Sequence, residues 1–190
     1  MFIQTENTPN PSTLKFIPEK SILKKGNFEF KSKLEAKISP LAMKLFENED
    51  VKNVFFGIDF ITITKSEAVD WEIIKPDILS KIMNFFSSGL PVINEGDIPE
   101  NDNSSKKETY NKKDLKIVEH IKELLEEKIR PAVAQDGGDI RFVKFEDYIV
   151  FLELRGSCAG CPSSTLTLKS GIENMLKYYI PEIKSVEAVN

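Results

Sequence analysis

Residues 94–113, NEGDIPENDNSSKKETYNKK, hold one aliphatic side chain, Ile98, and one aromatic, Tyr110. A stretch this polar has too little apolar area to offset the entropy of ordering it, so it reads as a flexible linker. The chain of 190 residues is therefore expected to fold as two small domains, over 1–93 and 114–190, each large enough to bury one core. The linker lysines 106, 107, 112 and 113 stand among acids and read as solvated.

The first domain predicts an α+β fold. Met1 to Glu6 and Ser12 to Ile17 are extended, separated by Asn7-Thr8-Pro9-Asn10-Pro11, whose prolines forbid a helix. Ser39-Pro40 is an N-cap and first-turn proline for a short helix through Phe46. Val51 to Phe56 and Phe60 to Thr64 flank a Gly-containing turn as a hairpin. Pro76 is expected to start a helix with Ile78, Leu79, Ile82, Met83, Phe85 and Phe86 on its apolar positions and Gly89 as its cap. Trp71, Phe55-Phe56 and Phe85-Phe86 read as core rather than as a docking patch.

The second domain predicts the order helix, hairpin, loop, helix, strand. Asp114 is read as the cap of a helix with Leu115, Val118, Ile121, Leu125 and Ile129 on one stripe, ending at Pro131 or soon after. Gly137-Gly138, bracketed by Asp136 and Asp139, is read as a turn, and Ile140 to Phe145 with Tyr148 to Leu154 as two strands. Gly156 to Gly160 is a loop; Pro162 starts a helix through about Tyr179 that carries Leu168, Ile172, Met175, Leu176 and Tyr179 on one face. Pro181 stops it, and Ile183 to Val189 is a last strand.

The two cysteines, Cys158 and Cys161, form a Cys-X-X-Cys loop directly before that helix. Two intervening residues let both sulfurs face one metal or cluster, and thiolates are the ligands that iron–sulfur centres select. The helix N-terminus is expected to favour the thiolate form. One chain is short of ligands, since two cysteines and the lone His120 do not make even a Cys2His2 set. Any cysteine-based metal centre is thus expected to be shared between chains.

Four readings of the motif compete: cluster ligation, a dithiol or persulfide oxidoreductase, a zinc site, and inert structural cysteines. Only 29 residues follow Cys161, too few to complete a thioredoxin sheet. His120, at the edge of its helix stripe, reads as a surface residue.

Composition excludes other classes of partner. With 26 basic and 30 acidic residues the net charge is −4, which argues against binding nucleic acid. No apolar run of about 18 residues is present to span a membrane. Met1 to Pro11 resembles neither a secretory signal nor an Arg-rich presequence, so the chain is expected to stay where it is made.

The run from Ile129-Arg130-Pro131 through Gln135-Asp136-Gly137-Gly138-Asp139, then Gly156-Ser157-Cys158-Ala159-Gly160-Cys161-Pro162-Ser163-Ser164 and Ile180-Pro181-Glu182, closely resembles the NifU C-terminal-like (Nfu) domain of iron–sulfur cluster proteins. Phe2 to Pro11 and Val51 to Gly57 resemble the N-terminal domain that accompanies it. The resemblance implies a cluster carrier and not an enzyme. Cys158 and Cys161 of two subunits would together hold one 4Fe-4S cluster in a homodimer, receive it from an upstream assembly scaffold and deliver it to apoprotein clients. Lacking a recognisable presequence, the chain is expected in bacterial cytoplasm; the family's occurrence in mitochondria implies the mitochondrial matrix for a processed eukaryotic form.

Overall fold

The computed structural model describes residues 2–94, 110–159 and 162–189, with 112, 113 and 162–164 described by backbone alone. The chain is α+β and divides into two compact units, Met1–Pro99 and Glu100–Asn190. Most of the expected linker lies outside the described residues.

In the first unit, five strands, β1 (Ile3–Asn7), β2 (Thr13–Pro18), β3 (Phe28–Phe30), β4 (Val51–Phe56) and β5 (Ile61–Lys65), form an antiparallel sheet in the order β1-β2-β5-β4-β3. Helices α1 (Pro40–Leu45) and α2 (Trp71–Ser88) pack on it. Alternate residues Leu14, Phe16, Val54, Phe56, Ile61 and Ile63 of the sheet share one core with Leu41, Leu45, Ile78, Ile82 and Phe85 of the helices. Ser39 caps α1 as its sequence predicts, its hydroxyl accepting the Ala42 amide at 3.1 Å. Phe55, Phe56 and Phe85 are buried and Trp71 and Phe86 pack against the core, as expected of core aromatics.

Helix α2 starts five residues before Pro76, the start that the sequence suggests. Tertiary contacts hold its first turn in spite of the proline. The Trp71 ring meets Phe16 edge-on at 6.2 Å and its Nε1–H donates to the Pro11 carbonyl at 3.2 Å, while Ile74 enters the core. These contacts outweigh the hydrogen bond that Pro76 cannot donate. Met83, placed on the apolar stripe by its spacing, is exposed.

In the second unit, α3 (Lys112–Leu124) runs through a π turn at Leu125–Ile129 into α4 (Arg130–Gln135). Strands β6 (Gly138–Glu146) and β7 (Ile149–Gly156) pair antiparallel, and α5 (Pro162–Tyr179) carries the chain across to β8 (Ser185–Val189), parallel to β7. Ile117, Val118, Ile121, Leu125, Ile129 and Val133 meet Ile140, Val150, Leu152, Ile172, Leu176 and Val186 in a second core.

Several sequence expectations shift here. Asn111, not Asp114, caps α3: its side-chain oxygen accepts the Asp114 amide at 2.9 Å. Leu115 in the first turn of α3 is exposed, and Ile117 and Leu124 are buried with Val118, Ile121 and Leu125 at ordinary helical spacing. Tyr110, counted with the polar segment, packs against this core, its hydroxyl accepting the Phe145 amide at 3.1 Å. Asp139 is a strand residue of β6 and not a turn residue, and Tyr179 is exposed rather than on the buried face of α5. The last strand begins at Ser185, two residues after the expected Ile183.

Candidate functional site

Gly156 ends β7 with φ 62°, a left-handed conformation that glycine adopts without penalty, and turns the chain into the cysteine loop. The loop is then tied to the turn between α4 and β6. The Ser157 amide donates to the Gly137 carbonyl at 3.2 Å and its hydroxyl to the Asp136 carbonyl at 2.5 Å, with Ser157 itself buried. Within the loop, the Cys158 amide reaches the Arg155 carbonyl at 3.3 Å and the Ala159 amide the Gly156 carbonyl at 3.1 Å. From the first turns of α5, the Thr165 hydroxyl donates to the Cys158 carbonyl at 3.3 Å.

These bonds turn the Cys158 side chain inward. It is 6% exposed, and its sulfur lies against Gly138, where an added Cβ would stand 2.3 Å from Sγ and 2.8 Å from the Arg155 carbonyl oxygen. Gly138 is therefore present for close approach: only a residue with no side chain leaves room for the thiol.

The expectation that the helix end favours a thiolate concerns the second cysteine, Cys161, outside the described residues; at Cys158 the surroundings favour the thiol. Burial pushes the Cys158 thiol from 9.0 up to about 12; a Ser157 hydrogen bond opposes it, and the Asp136 and Asp139 carboxylates each add a smaller upward push. In this arrangement Cys158 is a protected thiol.

Asp139 is fixed by a bidentate pair with Arg130, Nε to Oδ1 at 2.8 Å and Nη2 to Oδ2 at 3.0 Å. Arg130 also holds Glu126 at 2.6 Å. This clamp joins α4 to the start of β6 beside Gly138. No spacing rule in the sequence announces it, and the same holds for the Ser157 tether and the Gly138 contact; the double glycine was the one visible trace. His120 is exposed on α3, as expected. Cys161 lies outside the described residues. Among the described residues, no cluster of three or more His, Cys, Asp or Glu is placed to hold a metal ion, and no helix is long and apolar enough to cross a membrane.

Residues 3–89 match the family model of the scaffold protein Nfu/NifU N-terminal domain, and residues 121–187 that of the NifU-like domain. Over all 190 residues the chain is 52% identical to a human protein named NFU1 iron-sulfur cluster scaffold homolog, mitochondrial, and covers 72% of it. The chain belongs to the Nfu family of iron–sulfur cluster scaffold proteins. A Nfu relative of the same name from Drosophila willistoni is 50% identical over the whole chain, which spans 64% of that protein. A solution structure of a NifU-like protein from Saccharomyces cerevisiae is 30% identical, covering 50% of this chain and 85% of its own, with a TM-score of 0.45.

Proposed function

We propose that this Nfu protein carries a 4Fe-4S cluster between two subunits, each supplying Cys158 and Cys161, and passes it to apoprotein clients. The observation that carries the reading is the ligand count. A soft-donor pair stands before α5, two cysteines are all the chain contains, and a cubane with four thiolate sites needs two chains to complete it. The cluster is cargo rather than a resident cofactor, so the protein acts by ligand exchange and is not an enzyme. An upstream assembly scaffold supplies the cluster.

The surroundings of Cys158 shield it as a ligand. Cys158 is kept protonated and out of solvent until iron competes for it, which protects the thiol from oxidation between rounds. The same property counts against Cys158 as the attacking cysteine of the dithiol or persulfide oxidoreductase alternative, which needs a lowered pKa and an exposed sulfur.

We further propose that the domain over 1–93 selects clients while the domain over 114–190 presents the cluster, the segment 94–113 serving as tether. The mitochondrial names of the relatives favour the mitochondrial matrix over bacterial cytoplasm.

The test is anaerobic reconstitution of the full chain with iron and sulfide, alongside Cys158→Ser and Cys161→Ser. The expected result is about four iron per two chains, the content of one such cluster, and loss of binding in each variant. Folded wild-type protein that stays far below that iron content, or serine variants that load equally, would overturn the proposal.

A further inference from the structure

Pro162 opens α5, so Thr165 stands inside the helix, past the N-cap position from which a hydroxyl serves the helix's own first amides. A threonine placed there ordinarily returns its hydroxyl to the carbonyl four residues back or leaves it to water. Thr165 instead donates to the carbonyl of Cys158, seven residues back, at 3.3 Å. Its side chain is β-branched and half-buried, which leaves the hydroxyl few directions to point.

The two sides of Cys158 are held unequally. On the near side Ser157 is 2% exposed, with its hydroxyl on the Asp136 carbonyl at 2.5 Å and its amide on the Gly137 carbonyl at 3.2 Å. On the far side the Thr165 bond lies at the long end for a hydroxyl donor. The Cys158 and Ala159 amides close only local turns, onto the Arg155 and Gly156 carbonyls. A movement of Cys158 therefore leaves Ser157 anchored and breaks the Thr165 bond first.

Ligation requires such a movement. The Cys158 sulfur is 6% exposed and lies against Gly138, whereas iron shared with a second chain meets a sulfur only at the surface. We propose that Thr165 is a positioning residue whose hydroxyl holds the Cys158 peptide with its sulfur turned inward, and that release of this bond lets the sulfur turn out to take up iron. The inference rests on the reading of Cys158 as a cluster ligand. In the ligation step the thiol gives its proton to water as the iron–sulfur bond forms, and no electron changes hands. Thr165 acts through the peptide carbonyl, so its loss should quicken uptake, where loss of a residue that merely supports the fold would slow it.

Thr165→Val keeps the branched shape and removes the hydroxyl, and Thr165→Ser keeps the hydroxyl. Both are made in the full-length chain, with circular dichroism as the check on folding. In a Cys161→Ser background, where Cys158 is the sole cysteine, the valine variant should react with iodoacetamide at least about threefold faster than its threonine parent, the effect of losing one hydrogen bond of ordinary strength. That gain should persist unchanged at low urea concentrations, since a local opening exposes little new surface. The serine variant should react as the parent does. With both cysteines present, anaerobic reconstitution should give the valine variant a faster initial iron uptake and the same final iron content as wild type.

An alkylation rate in Thr165→Val equal to that of the parent would overturn the proposal. So would a gain that climbs steeply with urea, a serine variant as reactive as the valine one, or slower iron uptake in Thr165→Val. Folded wild-type protein that takes up no iron would instead remove the reading of Cys158 as a ligand, and the alkylation rates would still decide whether Thr165 holds it inward.

Discussion

A Cβ on residue 138 and the sulfur of Cys158 claim the same space: the distance between them would be 2.3 Å. Strand β6 thus comes close enough to the cysteine loop that a hydrogen at Gly138 is the pocket wall. Gly138→Ala is expected to push the thiol outward or part β6 from the loop, costing about 1–3 kcal/mol as other overpacked sites do. Urea unfolding measures the loss. Faster alkylation of Cys158 in the folded variant would show that the sulfur had moved, and wild-type stability and reactivity together would contradict the contact.

Cys158 should be a poor nucleophile in the empty protein. A thiol raised from 9.0 to about 12 has roughly a thousandfold less thiolate at neutral pH. In a Cys161→Ser background, where it is the sole cysteine, iodoacetamide at pH 7.5 should react at least about tenfold more slowly than with the urea-unfolded chain, allowing for local opening of the loop. Because the folded pKa lies above the unfolded one, the stabilisation that goes with the buried thiol is complete below pH 9 and is lost as pH rises toward 12. Equal rates folded and unfolded would refute the protected thiol.

Asp139 links the clamp to the sulfur. Removing its charge with Asp139→Asn breaks the bidentate pair with Arg130 and removes one of the carboxylates that raise the Cys158 pKa. The stability cost should be about 1–2 kcal/mol, below that of a fully buried pair because Arg130 is partly exposed and keeps Glu126. The alkylation profile of Cys158 should move to lower pH. A stability loss without that movement would leave the pair a structural feature only.

How far the sequence announces this structure depends on the range of the forces involved. Local signals are legible: Ser39-Pro40 opens α1, Pro162 opens α5, and the hairpin of β4 and β5 follows from alternation and a turn glycine. Long-range contacts are not. The start of α2 is held by Trp71 against Phe16 and Pro11, 55 and 60 residues away in sequence, which a local reading of Pro76 misses. Tyr110 belongs to a core that forms with Phe145, although its sequence neighbours are those of a solvated segment. At the site the same division holds. The Cys-X-X-Cys spacing is plain, whereas the burial that keeps Cys158 protonated depends on Gly138 and Ser157 meeting across two elements, and only the assembled fold brings them together.

The N-terminal unit has its own buried core and should be dispensable for cluster assembly. Removing residues 1–93 is expected to leave iron content after reconstitution unchanged and to slow or redirect transfer to apoprotein clients, followed by recovery of client activity. Unchanged transfer to every client would contradict a selecting role.

The central claim is that two chains complete one cluster site, and the oligomeric mass of the full-length protein before and after anaerobic reconstitution tests it most directly. The account predicts that loading produces a species of two chains with about four iron, and that this species reverts to single chains when a chelator strips the iron. A loaded species containing one chain would contradict it.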